Sequence, residues 1–362
     1  MPSIDAAAQT VFADLNQRCA DAEFDRDFPE NGKFIRRTIK AREYWYYQGY
    51  DAATGTKSNR YVGTVADAET TRRVEAHDRQ RIDYRTRIDA VRMLRSAGFP
   101  AADALTGRVV ERLAQAGFFR LRGVLVGTVA FQTFPGLVGE RPTRALRTGD
   151  IDLAQDYGIS VAIGESMSPV HEELQAVDAS FRPVPNLSRP DHTSAFVNAS
   201  GFRVEFLVSN RGSDEVTGAP VWMPALGGVS AQPLRYLDFL IRDPVRSTLL
   251  YAGGISVTVP APERYAVHKL IVANERTERE KQAKDLTQAG FLIEALARTQ
   301  PVALADSWIE AWNRGPSWRR HLETGLARLN EAGRLSIARA VGAHGAMLGY
   351  DPTRVGFPAF PP

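Results

Sequence analysis

The sequence predicts a mixed α/β (α+β) protein: a small mixed sheet in the middle of the chain, a helix and β-hairpin region before it, and a helical region after it. Three observations carry that reading. Apolar residues recur at helical spacing near both ends. The middle breaks into short β-branched runs punctuated by glycine and proline. The chain, at 362 residues, is long enough for two or three compact units.

The elements follow in order. Ile4, Val11, Phe12, Leu15 and Cys19 share one helical face, so the chain opens on an amphipathic helix. FIRRTIK, EYWYYQGY and SNRYVG then read as an antiparallel hairpin or meander over about 33–63, carrying Arg36, Arg37, Lys40 and Arg42 among Tyr44, Trp45, Tyr46 and Tyr47. From Asp67 to Arg95 the chain is strongly charged, with Val74, Ile82, Ile88, Val91 and Leu94 as its apolar positions. One long helix or two joined ones fit, ended by SAGFP. A further helix spans about 102–116, with Gly117 as its stop.

LRGVLVG is a short apolar strand, TVAFQTF starts a helix, and DIDLA is another strand. TSAFVN and FRVEFLVS flank the tight turn Ala199-Ser200-Gly201 as a hairpin, and ISVTVPAP is the last strand. From Glu263 the pattern is helical, Arg319–Val341 forming the final stretch, and the Pro-rich tail from Pro352 is expected to be loose. This divides the chain into 1–118, 119–262, 263–351 and a tail over 352–362.

Composition excludes several classes. A charged share of 24% beside 44% hydrophobic residues is that of an ordinary globular chain rather than a disordered one. The single cysteine, Cys19, leaves no intramolecular disulfide and no cysteine-rich zinc site. MPSIDAAAQTVFADL lacks the basic start and apolar core of a signal peptide. The most apolar stretch, Gly123 to Gly139, is broken by Thr128, Gln132, Thr133 and Pro135 and is too short to span a bilayer. A cytoplasmic protein is expected. The net charge of +3 suits an anionic partner such as a nucleotide or RNA, and suits a protein with neither equally well.

The chemistry concentrates in RTGDIDLA. On a strand, alternate residues share a face, so Asp150 and Asp152 project side by side about 7 Å apart along the backbone. Two such carboxylates repel unless a cation joins them, and hard oxygens suit Mg²⁺. A lone D-x-D also occurs on solvated turns, so its context matters. Upstream, Gly127 and Thr128 sit at a strand-to-helix turn, where a phosphate can approach the backbone. Downstream, Glu205 stands between Val204 and Phe206, a costly place for a carboxylate unless it is paired, metal-bound or on an edge strand facing water.

This order of motifs (hG[S/T], a helix, an acidic pair, a third acid on a later strand) resembles the nucleotidyltransferase fold of the DNA polymerase β superfamily. RTGDID resembles the acidic motif of the abortive-infection and minimal nucleotidyltransferases. GRVVERLAQAGFFRLRGVLVGTVAF and VPAPERYAVHKLIVANER…KQAKDLTQA resemble an uncharacterised bacterial family of that fold, so that the likeness spans about 30–300. There are two departures. Gly127 and Asp150 are 23 positions apart, more than is usual, which makes PGLVGERPTR a loop near the nucleotide mouth. The third acid is glutamate where aspartate is commoner.

The resemblance implies a metal-dependent transfer of a nucleoside monophosphate from an NTP to an acceptor hydroxyl on RNA, protein or a small molecule. Asp150, Asp152 and Glu205 would hold Mg²⁺ (or Mn²⁺), and Gly127 and Thr128 would cradle the terminal phosphates. Lys269 and Lys284, the latter beside Asp285, would reach the triphosphate from the helical region. Arg147 would neutralise phosphate charge or form a structural ion pair. It also implies a possible place in defence or toxin–antitoxin systems. For Lys284 and Asp285 a solvated helix face remains open, and His268 reads as a packed or capping residue rather than a base.

Two other functions compete: a D-x-D glycosyltransferase, against which the helical and hairpin-rich upstream region counts, and a catalytically silent RNA-binding module. The basic aromatic hairpin fits either a platform for single-stranded nucleic acid, leading toward Asp150, or a structural element packed on the neighbouring helices.

Overall fold

A computed structural model describes residues 3–22, 32–39, 42–50, 57–142, 148–162, 165–186, 192–210 and 218–357. The opening helix is α1, Ala6–Ala22. Three strands follow, β1 (Lys33–Ile39), β2 (Arg42–Tyr50) and β3 (Lys57–Thr64), joined as an antiparallel meander. The charged segment is one continuous helix, α2 (Ala68–Ser96). Phe12, Leu15 and Cys19 of α1 pack with Val91 and Leu94 of α2 and Leu250 in a small core of their own.

The main core begins at α3 (Ala104–Gln115), where Asp103 accepts from the backbone N–H groups of Leu105 and Thr106 and starts the helix. Next come β4 (Val124–Val126), α4 (Gly127–Phe131), α5 (Phe134–Val138), β5 (Asp150–Ala154), α6 (Tyr157–Ala162) and α7 (Val170–Val177). β6 (Arg182–Pro183), β7 (Ala195–Val197), β8 (Arg203–Ser209), β9 (Val221–Trp222) and β10 (Ser230–Leu234) complete a seven-stranded sheet, in the order β4-β5-β8-β10-β9 with β7 also against β8 and β6 against β7.

That sheet is mixed. β5, β8 and β10 run parallel, while β4 and β7 run antiparallel to their neighbours. After the short α8 (Leu237–Leu240), the hairpin of β11 (Val245–Leu249) and β12 (Ile255–Val259) leads into five helices: α9 (Pro262–Val272), α10 (Arg279–Thr299), α11 (Pro301–Asn313), α12 (Pro316–Arg328) and α13 (Glu331–His344). One apolar cluster runs from Val109 through the sheet to Phe357. Among the described residues, no helix is long and apolar enough to cross a membrane.

Four expectations change. PGLVG is not a loop: Pro135 sits in the first turn of α5, Gly139 ends it at φ 74°, and Phe134, Pro135 and Val138 are buried. The final helical stretch is two helices, broken at Leu329–Asn330, with Asn330 capping α13. The tail is docked as far as Phe357: Val355 and Phe357 are buried, and the Trp308 indole donates to the Val355 carbonyl at 2.8 Å. The basic aromatic hairpin divides by strand alternation. Trp45 and Tyr47 pack toward α2, Trp45 donating to the Thr71 hydroxyl and Tyr47 meeting Phe34 and His77 edge-on. Tyr44 and Tyr46 point to the other face and stay half-exposed. Lys40 lies outside the described residues.

Candidate active site

The acidic pair lies where β5 runs beside β8. Their parallel register sets Asp152 against Glu205 and Asp150 against Arg203, so all four project from one sheet face. β8 is not an edge strand. β5 flanks it on one side, and β7 followed by β10 on the other, so the water-facing edge reading of Glu205 does not hold. Its charge is partly met by Arg203, two residues back on the same strand, at 2.8 Å. Asp150 accepts from the Thr148 hydroxyl.

Asp152 is the electrostatic centre. Burial, together with the like charges of Asp150 and Glu205, pushes its carboxyl up to about 6, while Lys269 and Arg276 pull the other way. Gly127 lies directly against it. The residue adopts φ 66°, and a Cβ there would stand 2.1 Å from Asp152 Oδ2, so only glycine fits on both counts. Val126, just before it, pairs with Asp152 across the antiparallel β4–β5 ladder. Thr128 is buried in α4, a helix of five residues whose dipole is correspondingly small.

Cations approach from the helical region. Lys269 Nζ on α9 donates to Asp285 Oδ1 at 2.6 Å and lies 5.2 Å from the centre of the Tyr265 ring. Arg276 reaches the other oxygen of Asp285 at 3.3 Å. Burial lowers Lys284 below the ordinary lysine value, and Asp150 foremost among the nearby carboxylates opposes that shift. The solvated-face reading therefore fails for Asp285, which is 3% exposed, while Lys284 is half-buried beside the acids. His268 is buried and pushed down to about 3, hence neutral, and its Nδ1 has no hydrogen-bond partner, as suits a packed residue. Arg147 lies outside the described residues.

A last contact joins the two regions. The Tyr265 hydroxyl stands 3.0 Å from both the Gly127 carbonyl and Gln288 Oε1, and tyrosine has one proton to give. Turning the Gln288 amide over lets its N–H₂, otherwise unpartnered, donate to the hydroxyl and leaves the tyrosine proton for Gly127. With the amide so turned, the tyrosine proton anchors α9 at the turn before Thr128.

Asp150, Asp152 and Glu205 thus share one face, with Gly127 against it and Lys269 and Lys284 within electrostatic reach. Among the described residues no three His, Cys, Asp or Glu side chains are gathered closely enough to hold a metal ion as they stand. Glu205 is drawn toward Arg203 and Asp150 toward Thr148. Sequence reasoning missed three participants. Thr148 carries a legible signal, since it stands two residues before Asp150. Arg276 carries none, because it lies beyond the end of α9 and helical periodicity does not reach it. The tertiary role of the Tyr265 hydroxyl leaves no local trace.

A family profile described as nucleotidyltransferase matches residues 104–313. No curated protein matches the chain. Among solved structures, an antigenic nucleotidyltransferase-like protein from Paracoccidioides brasiliensis is 16% identical over 62% of this chain and 94% of that one, with a TM-score of 0.29.

Proposed function

The chain belongs to a nucleotidyltransferase family, and from that premise we propose that it moves a nucleoside monophosphate from an NTP to an acceptor hydroxyl at the Asp150–Asp152 face. The observation that carries this reading is Asp152, a carboxyl pushed up to about 6 by burial and by two acids on its own face. Such a concentration of hard oxygen donors suits Mg²⁺ or Mn²⁺, with Asp150, Asp152 and Glu205 as the holding residues. A divalent ion bound there would supply Lewis-acid activation of the hydroxyl and neutralise charge at the α-phosphate.

The chain's own residues do the rest. Gly127 leaves room for phosphate oxygens beside the acidic face, and Thr128 extends the cradle along the backbone. Lys269, Lys284 and Arg276 offset the triphosphate charge, with Arg147 assigned the same role from the sequence. The acceptor oxygen then bonds to the α-phosphorus, its proton passes to the carboxylate face, and the bond to the β-phosphate breaks to release pyrophosphate. The likeness of RTGDID to abortive-infection enzymes favours a defence role.

Incubating the protein with each labelled triphosphate, Mg²⁺ and total RNA or lysate tests the transfer. In Asp150→Ala/Asp152→Ala protein the label should no longer move, by more than about a hundredfold, the upper end of what losing an outer-shell partner of a metal site costs. Stability in EDTA should hold or rise, since a like-charge repulsion is removed. Mg²⁺ or Mn²⁺ should raise the melting temperature of the wild type alone. Transfer that survives the double substitution would sink the mechanism.

A further inference from the structure

We propose that the open face of the β1–β3 sheet binds single-stranded nucleic acid. The first support is charge. Residues 33–64 hold seven lysines and arginines against two acids, a surplus of five, larger than the net +3 of the whole chain, so the remainder is slightly acidic. The second is how the register sorts these residues. Arg37 pairs with Tyr44, Ile35 with Tyr46 and Lys33 with Gln48, and partners across a ladder share a face.

One face, carrying Phe34, Trp45 and Tyr47, meets α2 through Thr71 and His77. The opposite face carries Lys33, Arg37 and Arg42, all exposed, beside the half-exposed Tyr44 and Tyr46. Among the described residues it bears no carboxylate. Glu43 alternates to the α2 side. The Arg37 guanidinium lies 5.3 Å from the centre of the Tyr46 ring, so cation and aromatic surface are already side by side.

That pairing is what a single strand needs, whatever its sequence. Bases stack on rings and phosphates meet guanidinium groups. A purely structural sheet has no use for a face that sets exposed cations beside half-exposed rings with no carboxylate among its described residues. Duplex nucleic acid keeps its bases stacked inside, which leaves the tyrosines unused, and an acidic peptide would offer the rings nothing to stack on. Single-stranded RNA and DNA share the recognised chemistry. The inference stands apart from the catalytic reading, because it concerns binding alone.

Anisotropy titrations of labelled oligo(U) and oligo(dT) with the full chain, at about 50 and about 200 mM salt, test it. Binding should weaken as salt rises, and the tighter of the two oligonucleotides identifies the nucleic acid. Arg37→Gln/Arg42→Gln should weaken binding about tenfold and flatten the log–log salt slope by about 1.4, two contacts at about 0.7 each. Tyr46→Ala should cost about tenfold, and Tyr46→Phe almost nothing, since the ring and not the hydroxyl stacks.

Arg36→Gln is the control for the face. Arg36 lies over Trp45, on the α2 side, so its loss should leave the slope within error. Asp152→Ala should bind as the wild type does, whether or not it transfers nucleotides. No binding at low salt, equal losses in Arg36→Gln and Arg37→Gln, or an unaffected Tyr46→Ala would each overturn the proposal.

Discussion

Two carboxylates near α9 meet opposite fates. Glu310, on α11, is partly buried, which alone would raise its pKa. Hydrogen bonds from Arg264 at 2.7 Å and Arg314 at 2.9 Å outweigh burial and hold it down at about 2. Asp152 also has cations nearby, yet it is pushed up to about 6. The difference lies in where the cations are committed. Lys269 and Arg276 donate to Asp285, so Asp152 shares its face mainly with other acids. A carboxylate with its own guanidinium partners ties helices together. One left among like charges is costly to the fold, a cost that the proposed ligand site at Asp152 would account for.

The largest test of this contrast is Asp285→Asn. Removing that charge strands the buried Lys269 and frees Arg276, and should cost about 3–5 kcal/mol in urea unfolding. A loss below about 1 kcal/mol would mean that the lysine relaxes to water and that the pair is no structural bridge. Glu310→Gln comes next. It weakens the charged hydrogen bonds from Arg264, Arg314 and the more exposed Arg242, and should cost about 2 kcal/mol while leaving nucleotide transfer unchanged. Altered transfer in this variant would erase the distinction between the two sites.

The smallest effect is in pH. Glu310 is held below its ordinary value, so its contribution is full above about 4.5 and is lost as pH falls toward about 2. His268 acts in the same direction. Burial keeps it neutral to about 3, while the unfolded chain takes up the proton near 6.5, so stability drops as pH falls between these values. His268→Leu should flatten the acid limb of the melting-temperature profile between about 6.5 and 3. A profile identical to wild type would show that the ring is already charged or open to water.

Local patterns were legible where they coincide with tertiary ones. DIDLA alternates on a strand whatever surrounds it, and Glu205 shares the face of the aspartates because two parallel strands align in register. The meander and most helices of the C-terminal region follow equally from period and punctuation. What failed depends on distant partners. PGLVG reads as a loop until the burial of Phe134 and Val138 makes it a helix, and the tail reads as loose until Trp308 supplies a donor for Val355. The strands Val221–Trp222, Ser230–Leu234 and Val245–Leu249 were not read at all, the second holding a proline that argues against a strand.

At the site, residue types gave the acids and the glycine. They could not give Arg276, whose reach to Asp285 is set by the turn between α9 and α10. Nor could they foresee that Lys269 would already be paired.

The hydrogen bond between Tyr265 and the Gly127 carbonyl joins residues 138 positions apart. The Tyr265 phenol, whose ring also packs on Phe131 and Phe134, thereby helps keep strand-borne acids and helix-borne cations in step. A chimera taking residues up to β12 from one relative and α9 onward from another would assemble its core readily, since apolar packing tolerates exchange. It would work only if both parents set the tyrosine and the glycine turn at matching heights. On the proposed reading the two halves of the site are thus heritable only together, and any breakpoint between them divides it.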